Sequence, residues 1–139
     1  MNVLRSILAA SDLSAPSRHA AERAARLAQA NGAELTLAHA LVDTALDDLL
    51  RLIGDGDRAK SAVEGDARER LHALAVQLAK RQEVGVEERL LIGNPVQELA
   101  RLADEINADL LVTGTRGAGF FRGVVTVVEP ICLRLVARR

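Results

Sequence analysis

The sequence predicts an open, mainly parallel five-stranded α/β sheet with helices on both faces, on three observations. Short apolar runs alternate with segments of helical periodicity, most of those runs end in serine, aspartate or glycine, and no repeat or low-complexity stretch interrupts the alternation. At 139 residues and 49% hydrophobic content the chain reads as a single domain over 1–139 with enough apolar material for a core.

Val3 to Ala10 is a largely apolar run that stops at Ser11-Asp12, a strand feeding a loop. Ser14 caps the helix that follows, Pro16 suits its first turn, and Ala20, Ala24, Leu27 and Ala28 recur at helical spacing until Asn31-Gly32 ends it. Glu34 to Leu41 is the second strand. A short helical pattern from Asp43 to Ile53 runs into Gly54-Asp55-Gly56-Asp57, read as a solvated loop that is no calcium site, because it has too few oxygen ligands. Periodicity resumes through Leu71, Leu74, Ala75 and Leu78 and ends near Val84-Gly85.

Glu87 to Ile92, partly polar, is a third strand and a candidate sheet edge. Asn94 is placed as an N-cap, Pro95 at the first helical position, and Gln97 to close a capping box; Leu99, Leu102, Ala103 and Ile106 form the apolar stripe. Asp109 to Thr113 is the fourth strand and leads into Gly114-Thr115-Arg116-Gly117-Ala118-Gly119. Beyond it, Gly123 to Val128 is β-branched where a crossover helix is expected, so helix and strand both stay open there. Leu133 to Ala137 is a fifth strand, about 18 residues past Gly114, enough for a parallel crossover.

Composition excludes several functions. Eighteen basic against nineteen acidic side chains leave a net charge of −1, and two Phe with no Trp or Tyr supply no stacking platform, so nucleic acid is not an expected partner. No apolar run approaches the roughly 20 residues of a membrane span, no signal-peptide pattern follows Met1, and a single cysteine offers no internal disulfide; the expectation is a cytoplasmic protein without a membrane partner. Scattered histidines and one cysteine suggest no metal centre. His39 has no identifiable nucleophile as partner and reads as a packed histidine, and no G-x-S-x-G elbow is present, so no catalytic residue is assigned.

In open parallel sheets ligands bind beyond the carboxyl ends of the strands. Two loops here have suitable chemistry: Ser11, Asp12 and Ser14 after the first strand, and the glycines with Arg116 after the fourth. There, backbone N–H groups can approach phosphate oxygens and a guanidinium can bind them bidentately. Asp12 has a second reading, capping its own turn.

Ala10-Ser11-Asp12-Leu13-Ser14, His39-Ala40, Gly93-Asn94-Pro95 and above all Ala108 through Gly117 resemble the universal stress protein family, in order and over almost the whole chain. That resemblance implies an adenine nucleotide alpha hydrolase-like fold, a homodimer, and a stress-response role exerted by binding ATP or AMP, with Mg2+ where phosphates hold it, with at most weak ATPase turnover. It makes Ala10, Ser11, Asp12, Ala40, Thr113, Gly114 and Gly117 the nucleotide contacts, to which the guanidinium argument adds Arg116. Asp12 would face ribose hydroxyls or a phosphate-held metal, since a bare carboxylate is repelled by phosphate. The family's phosphate motif continues, nine residues past the second glycine, with Gly-Ser/Thr; here that position holds Val127-Val128, and the ending around Cys132 is shortened or altered. The alternative is a dimeric scaffold of the same family that does not bind nucleotide.

Overall fold

The computed structural model describes residues 4–41, 48, 51–52, 54, 56–113, 124–129 and 132–137. Strands β1 (Ser6–Ala10), β2 (Glu34–Leu41), β3 (Val86–Ile92) and β4 (Leu110–Thr113) form a parallel core in the order β3-β2-β1-β4. Two antiparallel strands, β5 (Val124–Glu129) and β6 (Cys132–Ala137), extend it beyond β4 to six. The described helices are α1 (Ala15–Asn31), α2 (Gly56–Gln82) and α3 (Pro95–Glu105).

Strand alternation divides the core into two layers. Ile7, Ala9, Leu35, Leu37, Leu110 and Val112 face α1 and α2, packing on Ala21, Ala24, Ala25 and Ala28 of the first and Leu71, Leu74, Ala75 and Leu78 of the second. Leu8, Ala38 and Leu111 point the other way, onto Leu99, Leu102 and Ala103 of α3. Methyl-sized side chains let the α1 backbone approach the sheet closely. Leu27, expected in that stripe, is instead 40% exposed, because the buried face runs through positions 21, 24, 25 and 28.

Caps end the elements where the sequence places them. Ser14 accepts the Ser17 N–H, and Gly32 closes α1 in the left-handed region at φ 64°, its N–H and that of Ala33 returning to Gln29 and Ala28 carbonyls. At the start of α3, Asn94 Oδ1 accepts from the Gln97 N–H at 3.2 Å. Gln97 itself is exposed and makes no return bond among the described residues, so the expected box is half-closed. Gly93 is required by its φ of 138° and because a Cβ there would sit 3.2 Å from Glu98 Cγ.

Two boundaries differ from expectation. Residue 57, read as loop, lies in the first turn of α2, where a carboxylate complements the helix dipole; Asp55 and most of the Asp43–Ile53 pattern lie outside the described residues. Gln82 ends α2 just before Val84-Gly85, as the periodicity predicts. The second difference concerns the C-terminus. With 124–129 in a strand, ten residues remain after Thr113, fewer than the dozen or more of a parallel crossover, and β5 therefore returns antiparallel to β4. β-Branched residues favour that extended backbone, and β6 follows after Pro130, which lies outside the described residues.

Candidate functional site

Between β1 and β4 the connections diverge. The chain leaves β1 into α1 on one face of the sheet, whereas it reaches β4 from α3 on the other. This is the topological switch point at which an open parallel sheet leaves a crevice beyond its carboxyl ends. Ala10 and Thr113 are the last residues of β1 and β4 and stand opposite each other in register, while Ala40 stands two residues past Ala38, the partner of Ala10 on β2. By alternation these three share the α3 face. Ala10 and Ala40 are half-buried and Thr113 is 7% exposed.

Ser11 carries β1 one step past its end. Its N–H donates to the Ala38 carbonyl at 2.9 Å, and its own carbonyl accepts from His39 Nδ1 at 2.8 Å. A carbonyl cannot donate, so Nδ1 carries the proton in this bond. The Ser11 hydroxyl is buried and turned toward α1. It accepts from the Leu13 N–H at 3.0 Å and lies 2.8 Å from Ser17 Oγ, which itself donates to the Ser14 carbonyl at 2.9 Å. With the Ser17 proton so committed, Ser11 donates to Ser17, and the chain of hydroxyls runs from loop to helix cap. These bonds hold Leu13 at φ 65°, a left-handed conformation costly for a leucine, while its side chain is anchored in the core.

Asp12 Oδ1 accepts the Ser14 N–H at 2.9 Å, the turn-closing role open to an aspartate at this position. Asp12 is half-buried at the lip of the crevice. Of the sequence-derived contacts, Ala10, Ser11, Asp12, Ala40 and Thr113 are thus brought to one edge of the sheet; Gly114, Arg116 and Gly117, like Phe120 and Phe121, lie outside the described residues. His39 bonds a backbone carbonyl and the Ser11 hydroxyl bonds another serine, so the two do not form a nucleophile and base. Among the described residues no three His, Cys, Asp or Glu side chains are grouped to hold a metal, and no helix is long and apolar enough to cross a membrane.

Two roles escaped sequence reading. Ser17 completes the hydroxyl chain, a role that the Ser-x-x-Ser spacing from Ser14 could have signalled. Asp109 sits at the opposite, amino end of β4, where Oδ2 accepts the N–H groups of Arg5 at 2.8 Å and Ser6 at 3.0 Å. These bonds tie the starts of β1 and β4 together.

The segment 4–128 matches the model of the universal stress protein family. The universal stress protein Rv1636 of Mycobacterium tuberculosis is 32% identical, over 88% of this chain and 84% of its own length. Its crystal structure superposes with a TM-score of 0.63 at 30% identity, covering 86% of this chain and 79% of that one. A universal stress protein in complex with cAMP superposes with a TM-score of 0.55 at 27% identity, covering 79% and 72%. At the level of fold alone, the Archaeoglobus fulgidus universal stress protein in complex with dAMP gives a TM-score of 0.61 at 22% identity, covering 79% and 80%. Matched over most of its length and built on the same parallel sheet, this chain belongs to the universal stress protein family.

Proposed function

We propose that this protein binds an adenine nucleotide in the crevice at the β1–β4 switch point and acts in the stress response by binding rather than turnover, as a cytoplasmic homodimer. The observation that carries the reading is the convergence of Ala10, Asp12, Ala40 and Thr113 at the carboxyl edge beside the point where the connections diverge. Small side chains at Ala10 and Ala40 leave main-chain groups within reach of a flat base. The Asp12 carboxylate, an acceptor when ionised, matches the donor hydroxyls of a ribose. Gly114, Arg116 and Gly117 are assigned to the phosphates, whose negative charge the backbone N–H groups and the guanidinium would offset. Mg2+, if used, would arrive with the phosphates. Relatives crystallised with cAMP and dAMP support an adenine nucleotide as the ligand class.

A second reading, a family scaffold without nucleotide, draws support from the register of β5. Val127 stands opposite Leu110, the first residue of β4, so positions 127–128 lie toward the amino edge, away from Thr113 at the carboxyl end of that strand. Any phosphate site must then be completed without them.

The deciding experiment is analysis of nucleotide released on denaturing the purified protein, followed by calorimetric titration with ATP, AMP and cAMP. Saturable binding, lost in Gly117→Val, is the expected result. Absence of both released nucleotide and binding heat would favour the scaffold.

A further inference from the structure

A cleft of about 140 Å³ opens between the start of α1 with its preceding loop and α2, lined by Leu13, Arg18, Arg70, Ala73, Leu74 and Gln77. It has two exposed guanidinium groups and a carboxamide at its rim, an apolar floor and, among the described residues, no carboxylate in its lining. Among the described residues neither arginine forms an ion pair, although partners are close in sequence. Glu22, one turn beyond Arg18, is taken by Arg81 at 3.5 Å. Asp66, one turn before Arg70, forms no ion pair with it, although that helical spacing favours one. Arg18 also stands near the start of α1, whose first turn holds no acidic residue, so its charge opposes the helix dipole. Two unpaired cations sharing one cleft repel each other, an arrangement that an anion between them would reverse.

We propose that this cleft is an anion site for the phosphoryl group of a small phosphomonoester, separate from the crevice at the strand ends. Two guanidinium forks and the Gln77 amide offer more donors than the two oxygens of a carboxylate can accept, whereas a phosphoryl dianion presents three terminal oxygens. Leu13, Ala73 and Leu74 suit a short apolar remainder. The volume is about 140 Å³, below the roughly 300–1,000 Å³ of pockets that enclose a whole drug-sized ligand, so a headgroup fits and a complete nucleotide does not. The site uses none of the residues assigned to the nucleotide, meeting their loop only through Leu13, and it stands whether or not a nucleotide is bound.

The test titrates the full chain with propyl phosphate, inorganic phosphate and butyrate, following ¹⁵N–¹H shifts and binding heat. Propyl phosphate is expected to shift Leu13, Arg70, Ala73 and Gln77 and to bind more tightly than butyrate. Arg18→Gln and Arg70→Gln should each weaken it by about five- to tenfold and the pair abolish it, while Arg23→Gln, on α1 outside the cleft, leaves it unchanged. Inorganic phosphate binding as tightly as the ester would support the site with free phosphate as its occupant. Unchanged affinity in both arginine variants, equal binding of butyrate, or shifts confined to Ser11, Asp12 and Thr113 would overturn it, the last outcome returning the phosphate to the crevice.

Discussion

His39 Nδ1 donates to the carbonyl oxygen of Ser11 at 2.8 Å, joining the end of β2 to the loop that follows β1. With the Ser11 N–H already on the Ala38 carbonyl, both backbone polar groups of Ser11 are held by two consecutive residues of the neighbouring strand. The histidine therefore fixes the backbone that immediately precedes Asp12.

Replacing His39 by Phe keeps a ring and removes the donor. The expected loss of stability is about 1 kcal/mol, that of one partly buried hydrogen bond. Amide hydrogen exchange at Leu13 and Ser14 should accelerate more than in the sheet; uniform protection across the loop would show that the bond does not position it.

Ser11→Ala leaves the buried Leu13 N–H without its acceptor and takes a donor from Ser17, a cost of about 1–3 kcal/mol. Ser17→Ala breaks the same chain one link later. Because the two share an interaction, the double variant should lose less than the sum of the singles in urea unfolding. Strict additivity would contradict the hydroxyl chain.

At the other end of the sheet, Asp109→Ala removes the acceptor of two backbone N–H groups and should cost about 1–2 kcal/mol. Asp109→Asn retains a carbonyl oxygen that can accept both and should cost much less. Neither variant should change nucleotide affinity, since the bonds lie at the amino edge; a selective loss of binding without a drop in urea midpoint would place Asp109 in the ligand site after all.

The double change Val127→Gly and Val128→Ser restores the family's motif in sequence but not in space. Val127 pairs with Leu110 on one side and Arg134 on the other, so the new groups would fall within β5, at the amino end of β4 and away from Thr113. Titration with ATP should show no gain in affinity. The urea midpoint should fall, because glycine within a strand costs about 1 kcal/mol relative to valine. Tighter ATP binding would mean that the segment takes the family's path when nucleotide is present.

Dimerisation is expected through β6, which ends the sheet and leaves one row of backbone groups unpaired. The other edge, β3, is an unfavourable surface for pairing: it carries Glu87, Glu88 and Arg89, engaged with one another or with His72 and Glu105. Light scattering from micromolar to millimolar protein should give twice the chain mass, and Leu135→Pro, which removes a backbone donor from β6, should shift it toward monomer. A monomer mass throughout that range would reject the assignment.

Local chemistry determined much of this fold. The Ser14 cap, the Gly32 stop, the Asn94-Pro95 start and the four strands of the parallel core are short-range matters of capping, φ and hydrophobic periodicity, and each is legible in a few consecutive residues. The family motifs likewise pointed to the strand ends where Ala10, Ser11, Asp12, Ala40 and Thr113 gather. Strand order and side-chain partners were decided only by tertiary structure. Nothing near Ser11 in sequence indicates that a histidine 28 residues away takes its carbonyl, and nothing near Asp109 indicates backbone donors 104 and 103 residues earlier. The direction of β5 belongs to the same class: β-branched residues permit a strand, but only the short span after Thr113 and the register against Leu110 make it antiparallel and carry Val127 away from the crevice. Hydrogen bonds between distant residues depend on where the whole sheet places each edge, and no local pattern encodes that placement.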